Sequence, residues 1–167
     1  MAYTLIETVT VGSGGAASIE FTSIPQDGVD LILKLSLRNT DSNPDSAQVS
    51  LNSDTGDNYP QIQLLGNGSS VSSQRLTLGF IRLAIPISTY TANTFGNAEL
   101  YISNYTSTSN KSMSGDSVAE NNATLGRLKI DAFSYTTSSA ITSIQVALFG
   151  DNYAEYSTAS LYKITAD

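Results

Sequence analysis

Apolar and polar residues alternate with a period of two along most of this chain, the spacing of strands with one face buried. Residues 29–38, VDLILKLSLR, show it best. Val29, Leu31, Leu33, Leu35 and Leu37 fall on one face, and Asp30, Lys34, Ser36 and Arg38 on the other, with Ile32 the exception. Buried together, the five aliphatics stabilise a fold by roughly 10 kcal/mol gross, at ~1.5–3 kcal/mol each. A helix would scatter them around its circumference. The same pattern predicts strands over 3–11, 16–21, 47–52, 61–65, 76–85, 97–103, 126–135, 141–149 and 157–164. Many short strands spaced by turn signals predict a sandwich or a barrel.

The punctuation agrees with that reading. Gly12 to Gly15 (GSGG) suits a hairpin between the first two strands, so residues 1–15 read as a first hairpin or an N-terminal arm. Pro25-Gln26-Asp27-Gly28 combines a preset φ with a residue that permits positive φ. Asn43-Pro44-Asp45, residues 54–58 (DTGDN) and Gly66-Asn67-Gly68 mark further turns, and Pro86 ends the apolar run before it. Residues 103–124 form the longest polar stretch. They are expected to be an ordered surface loop anchored by Tyr105, Met113 and Val118, with at most one helical turn at 117–123. There is no internal repeat and no linker, so a single domain over 1–167 is expected. The predicted fold is all-β: a two-sheet antiparallel β-sandwich, jelly-roll-like, of eight to ten strands. An Ig-like sandwich is the alternative, because strand order is not readable from one sequence.

Composition narrows the function. Only 14% of the 167 residues are charged, and about a quarter are Ser or Thr, so hydroxyls and amides carry the polarity. Eight basic against fifteen acidic side chains leave a net charge of −7, which argues against nucleic acid as a partner. Without Cys or His, disulfides, thiolate sites, the usual general base and the commonest metal ligand are excluded. No apolar run approaches the ~20 residues of a membrane span, and no secretory signal is expected at the N-terminus. Sequons at Asn67, Asn104, Asn110 and Asn122 then reflect composition.

Candidate chemistry is sparse. Glu7, Glu20 and Glu99 lie on predicted strands and would form an acid–base pair if two of them met across a sheet. Asp54, Asp57 and Asn58 resemble a short oxygen-ligand loop, but they lack the fuller spacing and terminal Glu of an EF-hand. Asp116 and Glu120 with Asn121 and Asn122 are a second weak oxygen cluster. Ser112 to Asp116 is not a nucleophile elbow, and Gly66 to Ser70 is not a phosphate loop. No catalytic set, metal or cofactor is expected. Tyrosine is the commonest aromatic, at nine against five Phe. A tyrosine-rich surface suits protein contact or sugar stacking. Tyr3, Leu5 and Ile6 near the N-terminus, with Tyr101, Tyr105, Tyr153 and Tyr156, are the candidate contact residues.

Several segments, in order, resemble a family of small virion structural proteins of tailed bacteriophages. They are FTSIP at 21–25, LNSDTGDNY at 51–59, LLGNGSS at 64–70, residues 91–122, AITSIQV at 140–146 and YSTASLYKI at 156–164. The resemblance implies a capsid decoration, or cement, protein that binds the major capsid protein and stabilises the shell. It also implies manufacture in the host cytoplasm, a place on the virion surface and no catalytic residues. Analogy with decoration proteins at three-fold positions suggests a homotrimer. The alternative is a tail or fibre module that binds a host surface glycan.

Overall fold

The computed structural model describes residues 2–122 and 126–166, and all regular structure in them is β. The strands are β1 (Ala2–Thr10), β2 (Ser18–Phe21), β3 (Asp30–Leu37), β4 (Ser46–Leu51), β5 (Tyr59–Gly66), β6 (Val71–Leu78), β7 (Ile81–Ala84), β8 (Gly96–Ile102), β9 (Lys111–Glu120), β10 (Gly126–Tyr135), β11 (Ile144–Ala147) and β12 (Thr158–Thr165). They form an eight-stranded sheet in the order β1-β12-β3-β8-β9-β10-β5-β6 and a four-stranded sheet in the order β2-β11-β4-β7. Every pairing is antiparallel.

The expected jelly roll is present, and the pairings show how it is made. β5 pairs with β6, β4 with β7, β3 with β8, β2 with β11 and β1 with β12. These pairs nest like one long hairpin, and successive pairs alternate between the two sheets. The hairpin β9-β10 is an insertion into this scheme: it lies between β8 and β5 and widens one sheet only. An Ig-like strand order does not occur.

The sandwich closes on the predicted apolar faces. Leu31, Leu33, Leu35 and Leu37 of β3 meet Phe21, Val49, Leu51, Ile81, Leu83, Ile144 and Val146 of the small sheet in one core. Val29 lies outside β3 and is exposed. Ile32 points to the outer face and is nevertheless buried, because Tyr162 and Tyr101 flank it in the same cross-strand row. Gly96 lets β8 pass close to Pro86: a Cβ there would lie 2.5 Å from the proline ring.

Four local expectations are corrected. Gly12 to Gly15 does not close a hairpin; β1 and β2 lie in different sheets, and the glycines carry the chain between them. Residues 76–85 are two strands in different sheets, broken around Gly79, where a Cβ would meet the Thr55 carbonyl at 2.4 Å. Residues 103–124 are not one surface loop. They contain ten-residue β9, whose side chains alternate strictly buried and exposed, so residues 117–120 are strand and not helix. Residues 123–125, where the proposed helical turn ends, lie outside the described residues.

Candidate interaction face

Tyr3, Leu5 and Tyr101 share one surface. Leu5 of β1, Tyr162 of β12, Ile32 of β3 and Tyr101 of β8 are directly opposite one another on the outer face of the large sheet, and Tyr3 begins the next row. Tyr3 is 66% exposed and Leu5 51%. The Tyr101 hydroxyl donates to Asp30, whose other oxygen accepts the Asn104 N–H at 2.6 Å. That hydrogen bond, with burial and the carboxylate charge behind it, pushes the Tyr101 phenol up to about 12. Beside this row β1 is an edge strand, paired to β12 on one side only.

The other predicted contact residues lie elsewhere. A register shift between Leu5 and Glu7 leaves Ile6 out of the ladder, and its side chain is half-buried against the core. Tyr105 and Tyr153 are fully buried, so neither is a surface contact. The Tyr105 hydroxyl donates to the Pro25 carbonyl and accepts the Gly28 N–H at 3.2 Å, which clamps both ends of the predicted turn. Tyr153 fills the core between residues 16 and 39, and its main chain bridges to both. Tyr156 is exposed and held at φ 70, in the left-handed region. It hydrogen-bonds to Val11, beyond the far end of β1 from Tyr3.

Glu7, Glu20 and Glu99 are not brought together. Glu99 pairs with Lys34 at 2.7 Å on the large sheet. Glu20 accepts hydrogen bonds from Gln145 and Ser18 on the small sheet. Glu7 sits on edge strand β1. Asp54 is occupied by its own turn: Oδ1 accepts the Gly56 N–H at 2.8 Å and Oδ2 the Asn58 amide at 2.9 Å. Burial would raise its carboxyl, but Gly56, Asn58 and Tyr135 outweigh that and hold it below the ordinary aspartate range. The donors around it are N–H and O–H groups, which suit a carboxylate. Among the described residues no three carboxylates converge in a way that would hold a metal ion.

An aliphatic patch is the largest feature of this face, and none of its residues is among the contact residues expected from sequence. At the β9-β10-β5-β6 end, Val118 is opposite Leu128, Leu128 opposite Gly66 and Gly66 opposite Val71. In the next row Ile130 is opposite Leu64, and in the next Ala132 is opposite Ile62. Val71 is 78% exposed, Ile130 57%, Ile62 55% and Leu128 51%; Leu64 and Val118 are exposed as well. The residues between them point inward and are polar: Gln61, Gln63, Lys129 and Asp131 are all buried. The amphipathic alternation of β5 and β10 is therefore inverted, with the aliphatic side facing out. The alternation itself is readable in QIQLL and LKIDA, but its phase relative to a core is not.

A cleft lies on the outside of the small sheet. It encloses about 360 Å³ and is lined by Gln48, Ser50, Gln145 and Thr55, with Phe80 and Phe149 as aromatic walls and no charged side chain in the lining. Phe149 is 82% exposed. No protein-family model matches this chain, and no curated protein sequence matches it.

Proposed function

We propose that this chain is a structural component of a tailed-bacteriophage virion, a decoration protein that binds the assembled major capsid protein and stabilises the shell. The observation that carries the reading is the β1 side of the large sheet, where an open edge strand borders the row Leu5, Tyr162, Ile32 and Tyr101. An open edge offers main-chain hydrogen bonds to a partner strand, and tyrosines give contact area with a polar tip. The low charge density leaves few ions to desolvate when many protein surfaces meet. The ordered segments that resemble virion structural proteins point the same way. Protein made in the host cytoplasm would join the outside of a formed shell.

The test uses purified shells that lack the protein. Added protein is expected to cosediment with them and to raise their disruption temperature. Tyr3→Asp with Leu5→Asp is expected to abolish cosedimentation while leaving the β circular-dichroism spectrum unchanged. Wild-type protein that neither binds nor stabilises such shells defeats the reading. The cleft beside Phe149 favours a second reading, a module that binds a neutral host glycan, because uncharged amides and the exposed Phe149 ring suit a sugar. Binding on a glycan array that disappears with Phe149→Ala would support it, and a silent array would remove it.

A further inference from the structure

The inverted wing of the large sheet needs a cover. Six aliphatic side chains, Ile62, Leu64, Val71, Val118, Leu128 and Ile130, make one contiguous outer patch. Together they leave on the order of 500 Å² exposed, near the upper end for the largest patch on a monomer. With the flanking polar residues the patch approaches the ~800 Å² per partner of a standard interface. The centre holds no Trp, Tyr or Arg, the side chains that usually anchor contacts between unlike proteins. A purely aliphatic centre is the character of an interface between copies of one chain.

We infer that this face binds a second copy of the chain, sheet against sheet, about a two-fold axis that runs parallel to the strands over the β10–β5 boundary. Such an axis lays the order β9-β10-β5-β6 over β6-β5-β10-β9 of the second copy, with the two sheets ~10 Å apart. Each row then meets itself reversed. In the row Val118, Leu128, Gly66, Val71, the Leu128 side chain lies over the bare Gly66 of the second copy, and Val118 lies over its Val71. In the next row Ile130 lies over Leu64. In the row after that, small Ala132 lies over large Ile62. Large side chains thus face small ones where the rows would otherwise crowd, which is what dense packing requires.

The rim charges select the same axis. Asp116 follows Ile130 on the β9 side, and Arg75 is opposite Ile62 on the β6 side. Both are exposed, and neither makes an ion pair among the described residues. The strand-parallel axis brings β9 of one copy over β6 of the other: Asp116, in the Ile130–Leu64 row, lies over Ser73, and the long Arg75 side chain one row along comes within diagonal reach of it, twice per dimer. An axis across the strands would lay β9 on β9 and face Asp116 with itself.

Sedimentation equilibrium and light scattering from about 1 to 100 µM, a range that brackets a micromolar Kd, test this without reference to any shell. The wild type is expected to be a dimer at the upper concentrations. Leu64→Asp with Ile130→Asp is expected to be monomeric throughout with an unchanged β circular-dichroism spectrum, and its melting temperature, unlike that of the dimerising wild type, is expected not to rise with protein concentration. Arg75→Glu and Asp116→Arg are each expected to raise the dissociation constant roughly tenfold, and together to restore it, as a rim pair made twice should. A wild type that stays monomeric overturns the inference, as does a trimer, or a dimer that the two aspartates leave intact. Failure of the charge swap to rescue overturns the assigned axis. A monomer that binds coat shells and loses that binding with Ile130→Asp gives the face to the coat protein and overturns the copy-to-copy contact.

Discussion

Lys129 and Asp131 stand two residues apart on the buried side of β10, where an apolar pair would be the simple choice. The Lys129 ammonium lies 3.5 Å from an Asp131 oxygen and donates to the Arg82 carbonyl at 2.9 Å, while both Asp131 oxygens lack a hydrogen bond. Burial moves Lys129 below and Asp131 above their ordinary ranges, and each partner's charge opposes the shift in the other. Removing one partner strands the other charge out of water. Lys129→Met is expected to lower stability by about 3–5 kcal/mol, and adding Asp131→Leu to recover most of it. Urea unfolding of the two single variants and the double variant checks this, and a double variant no better than Lys129→Met refutes it. The buried cations Arg38 and Lys111 are solvated by main-chain carbonyls instead of an acid. Arg38 donates to the main chain of Ser88, Tyr90, Thr91 and Thr94, and Lys111 to that of Ser107, Ser109 and Ser139. These two fix the loops on either side of β8. Nothing in the bare sequence distinguishes them from solvated surface cations.

Among the turns, residues 54–58 carry a pH dependence whose sign follows from Asp54. Its folded carboxyl titrates below the ordinary aspartate value, so its contribution is fully present above the unfolded value and is lost as pH falls through the folded one. Between about pH 5 and 2 the wild type is expected to lose more stability than Asp54→Asn, read from urea midpoints across that range. Parallel acid limbs would refute it. Which strands could be read from sequence follows from side-chain size. β3 is legible because leucines fill every second position. β9 is not, because after Met113 it buries only Gly115, Ser117 and Ala119, side chains too small to mark an apolar face. Gly115 has to be small: a Cβ there would lie 3.1 Å from both the Glu99 carbonyl and the Phe133 ring. In β5 and β10 the alternation was plain, but which face met the core depended on where the opposite sheet stops. For the contact residues, Tyr3, Leu5 and Tyr101 share a surface because β1, β12, β3 and β8 are neighbours. Tyr105 and Tyr153 look like rim tyrosines in sequence because they border turns, yet those turns fold back over the core.

On the scale of the whole molecule, nesting makes most sheet contacts ones between distant parts of the chain. Ala2 pairs with Thr165, whereas the central β5-β6 hairpin and the inserted β9-β10 hairpin are local. The consecutive strands β8 and β9 also pair, but seven of the ten pairings among the described residues join distant segments; such a topology folds slowly, in milliseconds to seconds or longer, and one core spans both sheets. Urea unfolding is expected to show a single transition. Hydrogen exchange is expected to be slowest in β3 and β8 and fastest in β6 and β1, the two edges of the large sheet. Two separate transitions, or a protected β6 in dilute monomer, would contradict it. The sandwich followed from strand spacing, with twelve strands among the described residues where eight to ten were expected, but its strand order was not readable, nor was the insertion, since half of it read as loop. That inserted hairpin has a consequence for how the protein changes over time. Without β9 and β10, β8 and β5 would still meet antiparallel, and the roll would be topologically whole with four strands opposite six. Half of the aliphatic face, Val118, Leu128 and Ile130, is thus an accessory built onto a finished house, and the inferred contact between copies can be gained or shed without redrawing the plan of the fold.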